Sequence, residues 1–176
     1  MAKRSKRHNA NLGVHTQKTP LPLEEALELI KNKFKPVKFD ETVEIALQLG
    51  VDVKKSDQMV RGAVSLPRGI GKELRVVVFC KEDRAQPSPK SGTVTKDIAA
   101  AVTEYKAGKI EFRADSGGNV HAPMGKRSFP KEALAENINT FVAYVKSIKP
   151  AAARGQYILN TSLSTTMGPG IPVDLG

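Results

Sequence analysis

The sequence predicts an α+β fold, a two-layer sandwich of helices on a mostly antiparallel sheet. Three observations carry this. Along 176 residues, 40% of them hydrophobic but only 5% aromatic, there is material for one mainly aliphatic core. The spacing of those apolar residues switches between the helical period and the strand period. The order that results is helix, strand, strand, helix, hairpin, helix, strand, which pairs consecutive strands yet interleaves helices.

The first helix follows Pro20 and Pro22, where "LEEALELIKNKF" sets Leu23, Ala26, Leu27, Ile30 and Phe34 on one face. Acids come early and lysines late, as the helix dipole favours, and Pro36 stops it. In "TVEIALQLG", Val43, Ile45, Leu47 and Leu49 alternate with Thr42, Glu44, Ala46 and Gln48, the mark of a half-buried strand. "VSLPRGIGKE" (64–73) reads as a Pro/Gly loop and "LRVVVF" (74–79) as a more fully buried strand. A polar, proline-bearing connection follows. Thr95 then caps a helix with Ile98, Ala101, Val102 and Tyr105 inside and Gly108 at its end.

"KIEFRA" and "NVHAPMG" alternate around "DSGG" and read as a hairpin. Ser128 and Pro130 open a long helix that buries Leu134, Ile138, Phe141, Val142 and Val145. The last strand, "QYILNTSLS", is expected to place Tyr157, Leu159, Thr161 and Leu163 on one face before the turn "TTMGPG".

The formal net charge is +10. Lys3, Arg4, Lys6, Arg7 and Lys18 give half of it, in a basic N-terminal arm (1–20) without an acid. Such an arm on a basic domain points to a polyanion. An anionic membrane would call for an amphipathic basic helix, and the arm has no apolar face, so nucleic acid is the expected partner. The arm also lacks the apolar stretch of a secretory signal, which fits a cytoplasmic start. Cys80, the lone cysteine, reads as a small buried hydrophobe.

Catalytic chemistry finds no footing. "RGIGKE" fails as a phosphate loop, since Leu66 and Glu73 stand where glycine and Ser/Thr are required. His8, His15 and His121 lack metal-ligand spacing, and Asp40, Glu41 and Glu44 read as a solvated strand edge. Neither an enzyme nor a cofactor or metal site is expected.

Four blocks, "KFDETVEIALQLGVDVKKSDQMVRGAVSLPRGIGK", "PSPKSGTVTKDIAAAVTEYKAGKIEFR", "GNVHAPMGKRSF" and "STTMGPG", occur in this order after about residue 20. Together they resemble the ribosomal protein L1 family of the bacterial large subunit. The resemblance implies a split β-α-β domain built from both ends of the chain (21–176), with helices on one face. It also implies an inserted Rossmann-like domain, which is missing near residues 82–88, where "KEDRAQ" runs directly into "PSPKSGTV". Closing such a seam with a short loop costs little entropy and removes no core.

The resemblance further implies binding to the L1-stalk region of 23S rRNA as a monomer within the ribosome. An influence on exit-site tRNA and repression of its own mRNA go with it. By motif, the RNA-binding residues are Lys38, Phe39, Thr42 and Glu44, Lys126 and Ser128, and Thr166, Met167 and Gly168. Asn160 stands where the family often has serine. The alternative from another class is a stand-alone RNA-binding regulator or chaperone outside the ribosome. Folded RNA is read by shape, 2′-OH contacts and stacking, which suits small hydroxyls, glycine and exposed apolar side chains. Neutralising the whole arm is expected to weaken all RNAs alike and flatten the salt dependence, as measured by binding across a salt series.

Overall fold

In the computed structural model, residues 5–14, 19–72, 98–106 and 108–175 are described. The elements run α1 (Lys6–Val14), β1 (Leu21–Pro22), α2 (Leu23–Glu28) with a π-helical turn (Leu29–Lys33), and β2 (Thr42–Leu49). Then come β3 (Arg61–Ser65), α3 (Ile98–Lys106), β4 (Lys109–Arg113), β5 (Asn119–Lys126), α4 (Lys131–Ser147), β6 (Ile158–Thr165) and β7 (Ile171–Asp174). One sheet has the order β1-β7-β6-β2-β5, antiparallel except for β1 with β7, and β3 and β4 form a separate antiparallel pair. The architecture is the α+β fold expected.

Local sequence explains the central pieces. Val43, Ile45, Leu47 and Leu49 all turn inward from β2, and the residues between them do not. The inner face of the sheet meets Ala26 and Leu27 of α2, Ile30 of its π-helical turn, and Leu134, Ile138, Phe141 and Val145 of α4 in one cluster. Phe112 of β4 sets its ring edge-on to Phe141, centroids 5.2 Å apart, which ties the small sheet to the same core. Asn137 of α4 is fully buried and completely engaged. It donates to the carbonyls of Gly69 and Met124 at 2.9 and 2.8 Å and accepts from the Arg68 amide at 3.0 Å.

Several local expectations are corrected. Val64 and Ser65, read as loop, belong to β3, whose ladder with β4 satisfies their backbone groups. The expected hairpin at 109–125 closes through Asp115 and Asn119, but its strands part company. β4 pairs with β3, and β5 pairs with β2. Leu159 is 46% exposed rather than inward, because the pairing slips between Gln48 and Leu49. Asn160 then faces Gln48 and Ile158 faces Leu49, which leaves Leu159 as the extra residue of a bulge. The long helix α4 begins directly after Pro130, where it was expected. The arm contains a helix, α1, that was not anticipated, and the chain forms β1 and β7 beyond the strands anticipated.

The expectations for Lys3, Arg4, His15, Lys18, "LRVVVF", Cys80, the seam at 82–88 and Thr95 lie outside the described residues. No helix among the described residues is long and apolar enough to cross a membrane. Asn137→Ala should lower stability by about 2–4 kcal/mol, because it leaves the buried Met124 carbonyl and the half-buried Gly69 carbonyl without this donor. Urea titration should show a lower midpoint with an unchanged slope.

Candidate nucleic-acid interface

Strand register brings three remote segments to one end of the sheet. Thr42 opens β2 opposite Lys126, the last residue of β5, and Val43 lies opposite Thr165, the last of β6. The segments 38–41, 126–129 and 165–168 therefore emerge side by side. What they do next is decided by Glu41.

Glu41 is in phase with Val43, Ile45 and Leu47, so its side chain points inward and is 1% exposed. This overturns its reading as part of a solvated acidic edge. Arg127 Nη1 donates to Glu41 Oε2 at 3.2 Å. Oε1 accepts from the Thr165 hydroxyl at 3.2 Å and from the Met167 amide at 3.1 Å. The Glu41 carbonyl accepts from the Arg127 amide at 2.7 Å. The same guanidinium reaches the other way: Nη2 donates to the carbonyls of Phe34 and Lys31 at 2.7 and 3.1 Å, at the end of the π-helical turn that follows α2. A buried carboxylate is tolerated only with partners of this kind.

Around this centre the expected residues assemble. Thr42 and Thr166 exchange backbone and side-chain bonds: the Thr166 amide donates to the Thr42 carbonyl at 3.0 Å, and the Thr42 amide donates to the Thr166 hydroxyl oxygen at 3.0 Å. Lys126 Nζ donates to Thr42 Oγ1 at 3.0 Å. Ser128 gives its hydroxyl and its amide to the Asp40 carboxylate at 2.6 and 3.1 Å. Ser128 thus holds the 38–41 segment in place.

Gly168 closes the turn with its amide on the Thr165 carbonyl at 3.0 Å. A Cβ there would stand 2.3 Å from Thr165 Oγ1, the hydroxyl that serves Glu41. Phe39 and Met167 remain 54% and 52% exposed, two large apolar side chains on a polar, cationic rim. Lys38 is exposed beside Phe39, and Glu44 lies on the solvent face of β2 opposite Ser164.

Asn160 stands apart, donating to Gln48 Oε1 at 2.6 Å. Its partner Gln48 is four residues along β2 from Glu44, roughly 13 Å away. The nine sequence-predicted residues therefore lie on or beside the segments that meet at one end of the sheet. Sequence reasoning missed Glu41 and Arg127 as the residues that hold them. For Glu41 the signal was present, since it continues the inward phase of β2. For Arg127 none was, because its acceptors, the Glu41 carboxylate and the carbonyls of Lys31 and Phe34, all lie more than 80 positions away.

The arrangement offers lysine and hydroxyl donors, closely approachable backbone at Gly168, and apolar surface on a fixed frame. Such a set can contact phosphate, ribose and unstacked bases at once. The family model described as the ribosomal protein L1p/L10e family matches residues 29–86 and 83–169. Glu41→Gln should reduce stability by about 3–5 kcal/mol, because it leaves the Arg127 charge enclosed without its counter-ion. Arg127→Met, with charge and shape changed together, should lose a comparable amount in the same denaturant titration.

Proposed function

The chain belongs to the ribosomal protein L1p/L10e family, whose members are structural RNA-binding proteins of the ribosome rather than enzymes, and from that premise we propose that its own ligand is the L1-stalk region of 23S rRNA. The observation that carries this reading is the pair of exposed apolar side chains, Phe39 and Met167, beside Lys126, Thr42 and Thr166 on a frame anchored by a buried ion pair. In this reading Phe39 and Met167 cover exposed base or sugar faces. Lys38 and Lys126 neutralise phosphates, and Thr42, Thr166, Ser128 and the Gly168 backbone follow the ribose edge. Glu44 accepts hydrogen bonds from 2′-hydroxyls or base amino groups on the open face of β2. An influence on exit-site tRNA and repression of the protein's own mRNA follow if the same surface meets the stalk and a mimic of it.

The family match in two segments that adjoin at residues 83–86 supports the reading that the inserted domain is absent from this chain. It also lends weight to a second reading, an RNA-binding regulator outside the ribosome, because contacts made by that domain would be lost. Sedimentation separates the two. Co-migration with the large subunit at moderate salt is expected, and complete absence from it would favour the regulator.

Met167→Ala is the cleanest test of the site, since its side chain holds nothing in place, whereas the Thr166 hydroxyl supports the Thr42 amide. It should weaken binding to a stalk-region rRNA fragment by about tenfold or more, with thermal stability unchanged. Phe39→Ala should behave the same way. Unchanged affinity in both variants would refute the assignment.

A further inference from the structure

The helix α1 is nine residues long, with no acid in its first turn and no base in its last. A helix of that length does not persist alone in water, so its docking has to be explained. Asn11 supplies the first part. It is 1% exposed, accepts from the Lys35 amide at 2.8 Å and donates to the Lys35 carbonyl at 3.3 Å. One side chain thereby pairs both backbone groups of Lys35, as a neighbouring strand would. Lys35 has use for such a partner, because Pro36 follows and disfavours a continued helix there.

Arg7 stands four residues before Asn11, one turn back on the same face of α1. Its Nη2 donates to the Met167 carbonyl at 2.9 Å, and Nη1 reaches the Lys35 carbonyl at 3.5 Å. The amide of that same Met167 is held by Glu41 Oε1. The backbone of Met167 is thus gripped from both sides, by a buried carboxylate at its amide and by a guanidinium at its carbonyl. Only the side chain is left outward.

We propose that Arg7 is a positioning residue for RNA recognition: docked through α1, it fixes the shape of the Met167 turn and so favours one folded RNA over polyanions in general. The proposal rests on the RNA-binding reading above. It also departs, for this residue, from the expectation that arm charges act on all RNAs alike. A guanidinium directed at two carbonyls contributes geometry where a solvated one would contribute a phosphate contact. Asn11 carries no charge, yet its loss should have the same consequence, because it releases the same helix.

Full-length Arg7→Ala and Asn11→Ala variants can be titrated with a stalk-region rRNA fragment and with an unrelated RNA duplex across a salt series. Each variant should lose about tenfold on the fragment and less than about twofold on the duplex, with the salt slope unchanged. Equal losses on both RNAs for Arg7→Ala, with the slope reduced by about 0.7–0.9 and Asn11→Ala silent, would overturn the proposal and make Arg7 a plain phosphate contact. Arg7→Lys, which keeps the charge without the planar fork, should recover the duplex affinity fully and the fragment affinity only in part.

Hydrogen exchange on the free protein reads the same idea without RNA. The Met167 and Gly168 amides should exchange faster in both variants while the β2–β6 ladder stays protected. Unchanged exchange at those two amides would also overturn the proposal. A wild-type protein that binds the fragment and the duplex equally would instead defeat the stalk reading, and the exchange result would still decide the role of Arg7.

Discussion

The ion pair between Glu41 and Arg127 is the constraint on which the rest of the candidate site depends. Enclosing a carboxylate costs several kcal/mol unless its oxygens are fully engaged, and here both oxygens are. The partners come from two stretches of chain remote from Glu41: Arg127 from the end of β5, Thr165 and Met167 from the end of β6. The guanidinium repeats the arrangement by holding the carbonyls of Lys31 and Phe34. The requirement that a buried charge be satisfied therefore acts as a positional rule. Each of these segments must arrive at its place for the ion pair to be tolerated, and the outward-facing residues are carried along with them.

That rule accounts for a combination which otherwise looks costly. Phe39 and Met167 give up most of the benefit of burial, and exposed apolar surface of this kind marks an interaction site more often than an accident. Both lie in short segments that would wander if left to themselves. The bonds from Thr166 to Thr42 and from Ser128 to Asp40 remove that freedom before any ligand arrives. Less entropy is then lost on binding, and a rigid surface can discriminate shape where a flexible one would only adapt. For a folded RNA, whose identity lies in its shape, such a surface is the appropriate reader.

The basic arm shows how charge and geometry can be assigned to the same residues. By composition it is an electrostatic tether, and a tether needs no structure. The docked α1 makes contacts of another kind, with Asn11 completing the backbone of Lys35 and Arg7 closing on Met167. These contacts are polar, so they leave almost no trace in a search for apolar periodicity. They also link the arm directly to the turn that presents Met167, which brings the chain's two ends to one surface.

Much of the fold was legible because it is local. The alternation of Val43, Ile45, Leu47 and Leu49 and the helical spacing from Leu134 to Val145 each declare an element and its buried face, since a single element's own burial sets those periods. The motif residues of the site were legible too, from "KFDETVE", "GKRSF" and "TTMGP". The choice of partners was hidden. Nothing in "KIEFRA" or "NVHAPMG" says that adjacent strands joined by a tight turn will enter different sheets, and nothing in "QYILNTSLS" announces the slip that turns Leu159 outward. The same is true of Asn11, whose partners are backbone groups that any residue carries, and of Arg127, which divides its guanidinium between two such carbonyls and the remote Glu41 carboxylate. Periodicity records which face of an element is buried, and the sequence by itself determined that much. Which remote backbone group or charge completes a buried polar atom depends on register across the whole sheet, and only the tertiary structure decided it.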